Sequence, residues 1–161
     1  MFAIKEIIDM AIRIEKNGEA VYRSAMEKIS NPALVSLLEW MADEEDGHAK
    51  WFSDLKQEVE ALSENPFIEE MSHELLNDLI GEQSFSLKEV DFSQIDSIND
   101  LIFTFIEFEE DSILFYEMLK PFIQDKDTLA QLDKIIVEEN SHIERLREFI
   151  LSERPETERS D

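Results

Sequence analysis

Two short stretches, Glu44-Glu45-Asp46-Gly47-His48 and Glu138-Glu139-Asn140-Ser141-His142, hold two of the chain's three histidines. Each histidine follows a glutamate by three residues. On a helix, positions i and i+3 share a face, so one turn can offer a carboxylate and an imidazole to the same ion. Mixed oxygen and imidazole donors of this kind suit iron or manganese. Spacing alone does not settle the matter, because Glu70-Met71-Ser72-His73 has it too. What separates the three is the apolar pattern around each.

A second pair of acids accompanies the first. Aligning AIRIEKNGEAVYR (11–23) with FIEFEEDSILFYE (105–117) places Glu15 on Glu109 and Tyr22 on Tyr116, 94 positions apart. Glu45 and Glu139, and His48 and His142, are also 94 apart. One offset shared across two pairs of segments predicts two similar helical hairpins related by an approximate two-fold axis.

Four segments carry the helical hydrophobic period that would position these residues. The first runs from about residue 2 to 29, with Ile4, Ile8, Ala11, Gly18, Tyr22, Ala25 and Ile29 on one stripe. Ser30-Asn31-Pro32 then supplies a stop, a cap and a proline for the next first turn. The second spans about 32–62, along Leu34, Leu38, Met41, Phe52, Leu55 and Val59. The third opens at Asp96 or Ser97 and carries Ile98, Ile102, Phe105, Ser112, Tyr116 and Leu119. The fourth covers about 125–151, through Leu132, Ile135, Leu146 and Phe149. Antiparallel bundle neighbours need only about 2–8 residues of loop, yet roughly 35 residues separate the second and third segments. The expectation is an all-α four-helix bundle spanning 1–152, with one long crossover at about 62–96. The crossover carries a short helix at about 66–81, and residues 153–161 form a disordered polar tail.

The repeated polar residues lie on the apolar stripes. Glu15 is centred among Ile8, Ala11 and Tyr22, and Glu109 between Phe105 and Tyr116. Glu45 and His48 continue Leu34, Leu38 and Met41 into Phe52, and Glu139 and His142 sit between Ile135 and Leu146. Glu70 and His73 differ: the stripe Ile68, Met71, Leu75, Leu79 leaves both on the opposite, solvent-facing side. Four carboxylates and two imidazoles thus point into one core. Buried carboxylates cannot stay ionised unpaired, and no Lys or Arg lies nearby on these stripes. Two metal ions would supply the missing positive charge.

Composition excludes several other classes. A net charge of −24 disfavours nucleic acid and anionic membrane surfaces, which need clustered Lys and Arg. The absence of cysteine removes disulfides, thiolate zinc sites, iron–sulfur centres and a thiol nucleophile. The N-terminal stretch MFAIKEIIDMAIRIEK interrupts its apolar residues with charge, unlike a signal peptide. No apolar run approaches the ~18–20 residues of a membrane span. A cytoplasmic location is the expectation.

One Glu from each of two helices plus Glu-x-x-His from each of the other two is a pattern of ferritin-like dimetal carboxylate proteins. Within that superfamily the sequence, over residues 1 to about 152, resembles the rubrerythrin-like (erythrin) group. The resemblance implies a ferritin-like bundle with Glu15, Glu45, His48, Glu109, Glu139 and His142 as metal ligands, and Glu45 or Glu139 as bridges. It implies two non-haem iron ions that react with hydrogen peroxide or O2. Manganese is the alternative metal. Two departures stand out. Rubrerythrins typically add a cysteine-rich rubredoxin domain, which a sequence without cysteine cannot hold. They usually carry a further Glu one turn after the third-helix ligand, where this chain has Ser112. Glu19, at the edge of the first stripe, is the candidate for an extra carboxylate, against a role on the surface.

Tyr22 and Tyr116 are candidates for hydrogen bonding to a ligand carboxylate and taking part in the chemistry, against simple packing. Trp40, Trp51 and the phenylalanines read as core or interface, with Phe103 suited to a homodimer contact. The leading expectation is a di-iron oxidoreductase acting as a peroxidase or ferroxidase, fed by Fe(II) or a separate redox donor protein. An iron-storage module and a dimanganese catalase are the competing readings.

Overall fold

The computed structural model describes residues 4–60 and 97–152. They form four long helices: α1 Ile4–Met26, α2 Pro32–Glu60, α3 Ile98–Leu119 and α4 Lys126–Ser152. A short 3-10 turn, Lys120–Phe122, follows α3.

The helix ends follow from local chemistry. Asn31 Oδ1 accepts hydrogen bonds from the backbone N–H groups of Ala33 (3.0 Å) and Leu34 (3.2 Å), capping α2, and Pro32 occupies a first-turn position that needs no donor. Ser97 caps α3 by accepting from the Asp100 N–H at 3.1 Å, as the sequence leads one to expect. Asp125 caps α4, accepting from the Thr128 N–H and hydroxyl at 2.9 and 2.8 Å. α1 stops about one turn short of the expected boundary. The Lys28 N–H bonds the Ala25 carbonyl, three residues back, which tightens the chain into the turn toward Asn31. Ile29 still packs against the core from outside the helix. Ile98, expected on the core stripe, is instead exposed at the first turn of α3.

The core divides into two apolar layers. One joins the start of α1 (Ile7, Ala11), the end of α2 (Phe52), the end of α3 (Phe115, Leu119) and the start of α4 (Leu132). The other joins the end of α1 (Ala25), the start of α2 (Leu34, Leu38), the start of α3 (Ile102, Phe105) and the end of α4 (Leu146). α1 therefore runs antiparallel to α2, α3 runs antiparallel to α4, and α2 and α3 point the same way. The segment that joins α2 to α3 lies outside the described residues. So do the expected helix at 66–81, Glu70, His73 and the tail at 153–161. Among the described residues, no helix is long and apolar enough to cross a membrane.

Candidate metal centre

Between the two apolar layers lies a polar one. Each of the four helices contributes its mid-helix acid: Glu15 from α1, Glu45 from α2, Glu109 from α3 and Glu139 from α4. One turn further along, His48 on α2 and His142 on α4 add an imidazole each. All six residues are buried, with Glu15, Glu109 and His142 fully excluded from solvent. They form two groups, Glu15–Glu45–His48–Glu139 and Glu45–Glu109–Glu139–His142, and within each the donor atoms lie within 4.8 Å of one another. Glu45 and Glu139 belong to both groups, the arrangement that a bridge between two ions requires.

Both imidazoles turn Nδ1 inward. His48 Nδ1 lies 2.8 Å from Glu139 Oε1 and 3.4 Å from Glu15 Oε2. His142 Nδ1 lies 3.2 Å from both Glu45 Oε1 and Glu109 Oε1. The two rings are nearly parallel, with centroids 6.5 Å apart. Their Nε2 atoms face outward, toward Glu138 Oε2 at 3.0 Å for His48 and Glu44 Oε1 at 2.8 Å for His142. Glu44 and Glu138 were not singled out by stripe and spacing, because each looks like one more acid beside a buried one. The signal was present in the doubled glutamate of both stretches, since 44 and 138 are also 94 apart.

The tyrosines cross between hairpins in the same reciprocal way. The Tyr22 hydroxyl on α1 donates to Glu109 Oε1 on α3, and the Tyr116 hydroxyl on α3 donates to Glu15 Oε1 on α1, each at 2.5 Å. Each bond leaves the second carboxylate oxygen free to face the centre. Burial, reinforced by the nearby carboxylates, raises both phenol pKa values well above the ordinary value, so the hydroxyls keep their protons.

One sequence candidate falls outside this layer. Glu19 is half-buried at the surface, paired with Arg23 at 2.9 Å and Lys16 at 3.5 Å, and belongs to neither group. Ser112 is buried and donates its hydroxyl to the Phe108 carbonyl of its own helix. Its counterpart across the repeat is Gly18. A Cβ there would lie 3.3 Å from Glu45 Oε2 and 3.1 Å from the Phe108 ring, so glycine leaves room for the Glu45 carboxylate.

The electrostatics identify what the layer lacks. Glu15 Oε2, Glu45 Oε1, Glu109 Oε2, both oxygens of Glu139 and His48 Nδ1 are buried and make no well-directed hydrogen bond, even though Glu139 Oε1 and His48 Nδ1 lie 2.8 Å apart. Buried polar atoms are satisfied in nearly all native structures, so such a set facing one centre calls for a ligand. Burial and mutual repulsion raise the carboxyls of Glu45 and Glu139 well above the ordinary range. Glu109 goes the other way: burial pushes it up, but the His142 imidazole together with hydrogen bonds from Glu139 and Tyr22 outweighs that and holds it down to about 2. Burial alone would lower both imidazoles. Glu15 and Glu138 reverse this for His48, to about 9, and Glu109 and Glu44 for His142, to about 10. Without metal, the layer is neutralised by protons on Glu45, Glu139 and the two rings. Two divalent ions would balance four carboxylates without them, and the oxygen and imidazole donors present fit iron or manganese.

The sequence model of the rubrerythrin family matches residues 6–150. The chain belongs to the rubrerythrin family. No curated protein matches it in sequence. Among solved structures, it is similar to a protein described as a ferritin-like diiron-carboxylate protein, from Thermotoga maritima. The identity is 23%, the TM-score 0.66, and the match covers 91% of this chain and 93% of that one. The fold is thus the ferritin-like one, and within this rubrerythrin-family chain the Glu/His layer is the candidate binuclear metal centre.

Proposed function

We propose that the chain is a di-iron oxidoreductase of rubrerythrin type, which reduces hydrogen peroxide or oxidises Fe(II) with peroxide or O2. The observation that carries this reading is the pair of four-residue groups sharing Glu45 and Glu139, with their unpartnered oxygens turned to one centre. Glu15, Glu45, His48 and Glu139 would hold one ion, and Glu45, Glu109, Glu139 and His142 the other. Iron held there supplies one-electron chemistry between Fe(II) and Fe(III), and manganese is the alternative with the same donors.

The chain's own groups have defined tasks. Reduction of one hydrogen peroxide to two waters consumes two electrons and two protons. The hydroxyls of Tyr22 and Tyr116 orient Glu109 and Glu15 and hold protons within the layer. The apolar layers above and below keep bulk water from the carboxylates, which strengthens every charge interaction between them. A cleft of about 490 Å³ opens between α2 and α4, lined among others by Trp40, Gly47, His48, Trp51 and Ile135. It is wide enough for peroxide or O2. Electrons would come from Fe(II) itself or from a separate redox donor protein, and the exposed Phe103 supports a homodimer as the working form.

The second reading, an iron-storage module, draws on the net charge of −24, which concentrates cations around the molecule. Stopped-flow absorbance after mixing anaerobic Fe(II)-loaded protein with peroxide or with O2 separates the two. Faster oxidation by peroxide, with no mineral formed, is the expected result. A large preference for O2 with accumulating ferric mineral would replace the enzyme by the store.

A further inference from the structure

Each metal-binding stretch begins with a doubled glutamate, and only the second member of each pair faces the centre. The first members, Glu44 and Glu138, turn across the bundle instead. Glu44 on α2 meets Nε2 of His142 on α4 at 2.8 Å, and Glu138 on α4 meets Nε2 of His48 on α2 at 3.0 Å. Each hairpin therefore braces the histidine of the other. Glu44 and Glu138 are about a quarter exposed (26% and 27%), whereas the rings they touch, His142 and His48, are 0% and 7% exposed. Glu44, His48 and Glu138 share the cleft between α2 and α4.

A neutral imidazole carries one N–H and one lone pair, and an ionised carboxylate can only accept. A carboxylate at Nε2 therefore keeps the ring proton at Nε2 and leaves the Nδ1 lone pair facing Glu15 and Glu139, or Glu45 and Glu109. We infer that Glu44 and Glu138 are positioning residues: each fixes the tautomer and ring plane of the histidine on the opposite hairpin. The affinity of each half of the centre for its ion thus depends on an acid from the other repeat. This rests on the metal reading above. A pair of acids on a solvated face would have no reason to make two reciprocal contacts at the same ring nitrogen, in register with a 94-residue repeat.

The test is titration of metal-free protein with Co(II), followed by visible absorption, for wild type and for Glu44→Gln, Glu44→Ala, Glu138→Gln and Glu138→Ala. Glutamine keeps the shape and an acceptor oxygen, so it guards against loss of folding. Loss of such an outer partner typically weakens metal binding about 10–100-fold. Each alanine variant should show that loss at one ion, with partial rescue by glutamine. Asp46→Asn, which removes the same charge from a surface acid paired with Lys16 and Lys50, should change binding by less than about twofold if the effect is positional and not net attraction. Zn(II)-loaded protein read by ¹H–¹⁵N spectra of the imidazoles adds a residue-specific signal. Glu44→Ala should lose the protected Nε2–H resonance of His142 and keep that of His48, and Glu138→Ala the reverse. Wild-type affinity and both resonances persisting in the alanine variants would overturn the inference while leaving the metal centre standing. Wild-type protein that takes up no Co(II) would overturn the metal reading, and the inference with it.

Discussion

His48 and His142 matter to this protein through position, since their spacing from glutamate is shared by His73. His48→Ala or His142→Ala should weaken Fe(II) binding at least about tenfold, because each removes a nitrogen donor and leaves acids facing one another. His73→Ala should leave metal content unchanged and stability within about 0.5 kcal/mol, as for ordinary surface substitutions. Metal analysis after dialysis, with chemical unfolding of the same samples, checks both. Loss of metal in the His73 variant would show that spacing, and not the helical stripe, selects ligands. The six inward residues were legible because a polar residue on an apolar stripe contradicts the pattern that buries it. Glu44 and Glu138 were not, because their role depends on which helix lies across from them. A stripe reports only the face of a single helix. Glu19 shows the converse: at the stripe's edge, the guanidinium of Arg23 one turn away draws it outward.

At the scale of the helix, end signals decide how ligand-bearing turns meet. Asn31 starts α2 and Ser97 starts α3, and each satisfies backbone N–H groups that no carbonyl of the helix can reach. Asn31→Ala or Ser97→Ala should each cost about 1 kcal/mol, read as a shift in the urea midpoint with unchanged slope. A loss below about 0.3 kcal/mol would mean that water caps these ends equally well. The starts of α2 and α3 were readable because a capping side chain is a local, chemical signal. The end of α1 was less so. Its stripe continues to Ile29, but the backbone leaves the helix at Met26 while that side chain still reaches the core. Hydrophobic period reports where side chains go, which near a turn differs from where the helix ends.

For the whole molecule, a charged layer sits between two apolar ones, and its stability follows its protons. In the metal-free fold, His48 and His142 titrate at about 9 and 10 against an ordinary 6.5. The folded state then holds more protons than the unfolded one across that window, so the stability they contribute is complete below pH 6.5 and is lost as pH rises through 9 to 10. Glu45 and Glu139, raised as well, act with the same sign from the ordinary carboxyl range upward. The melting temperature of chelator-treated protein should therefore fall from pH 7 to pH 10. Metal-loaded protein should melt higher and lack that fall, because an ion replaces the protons and binds only the folded state. A flat profile for the metal-free form would place the rings in a neutral state and remove the basis for this charge balance.

The most direct measurement of the central claim is the number of ions each chain retains. Metal-free protein is reconstituted anaerobically with Fe(II), freed of excess, and analysed for iron and protein together. The duplicated donor set, with Glu45 and Glu139 common to both groups, predicts about two iron ions per chain, one for each half of the centre. An intact bundle that holds only trace metal would contradict the account.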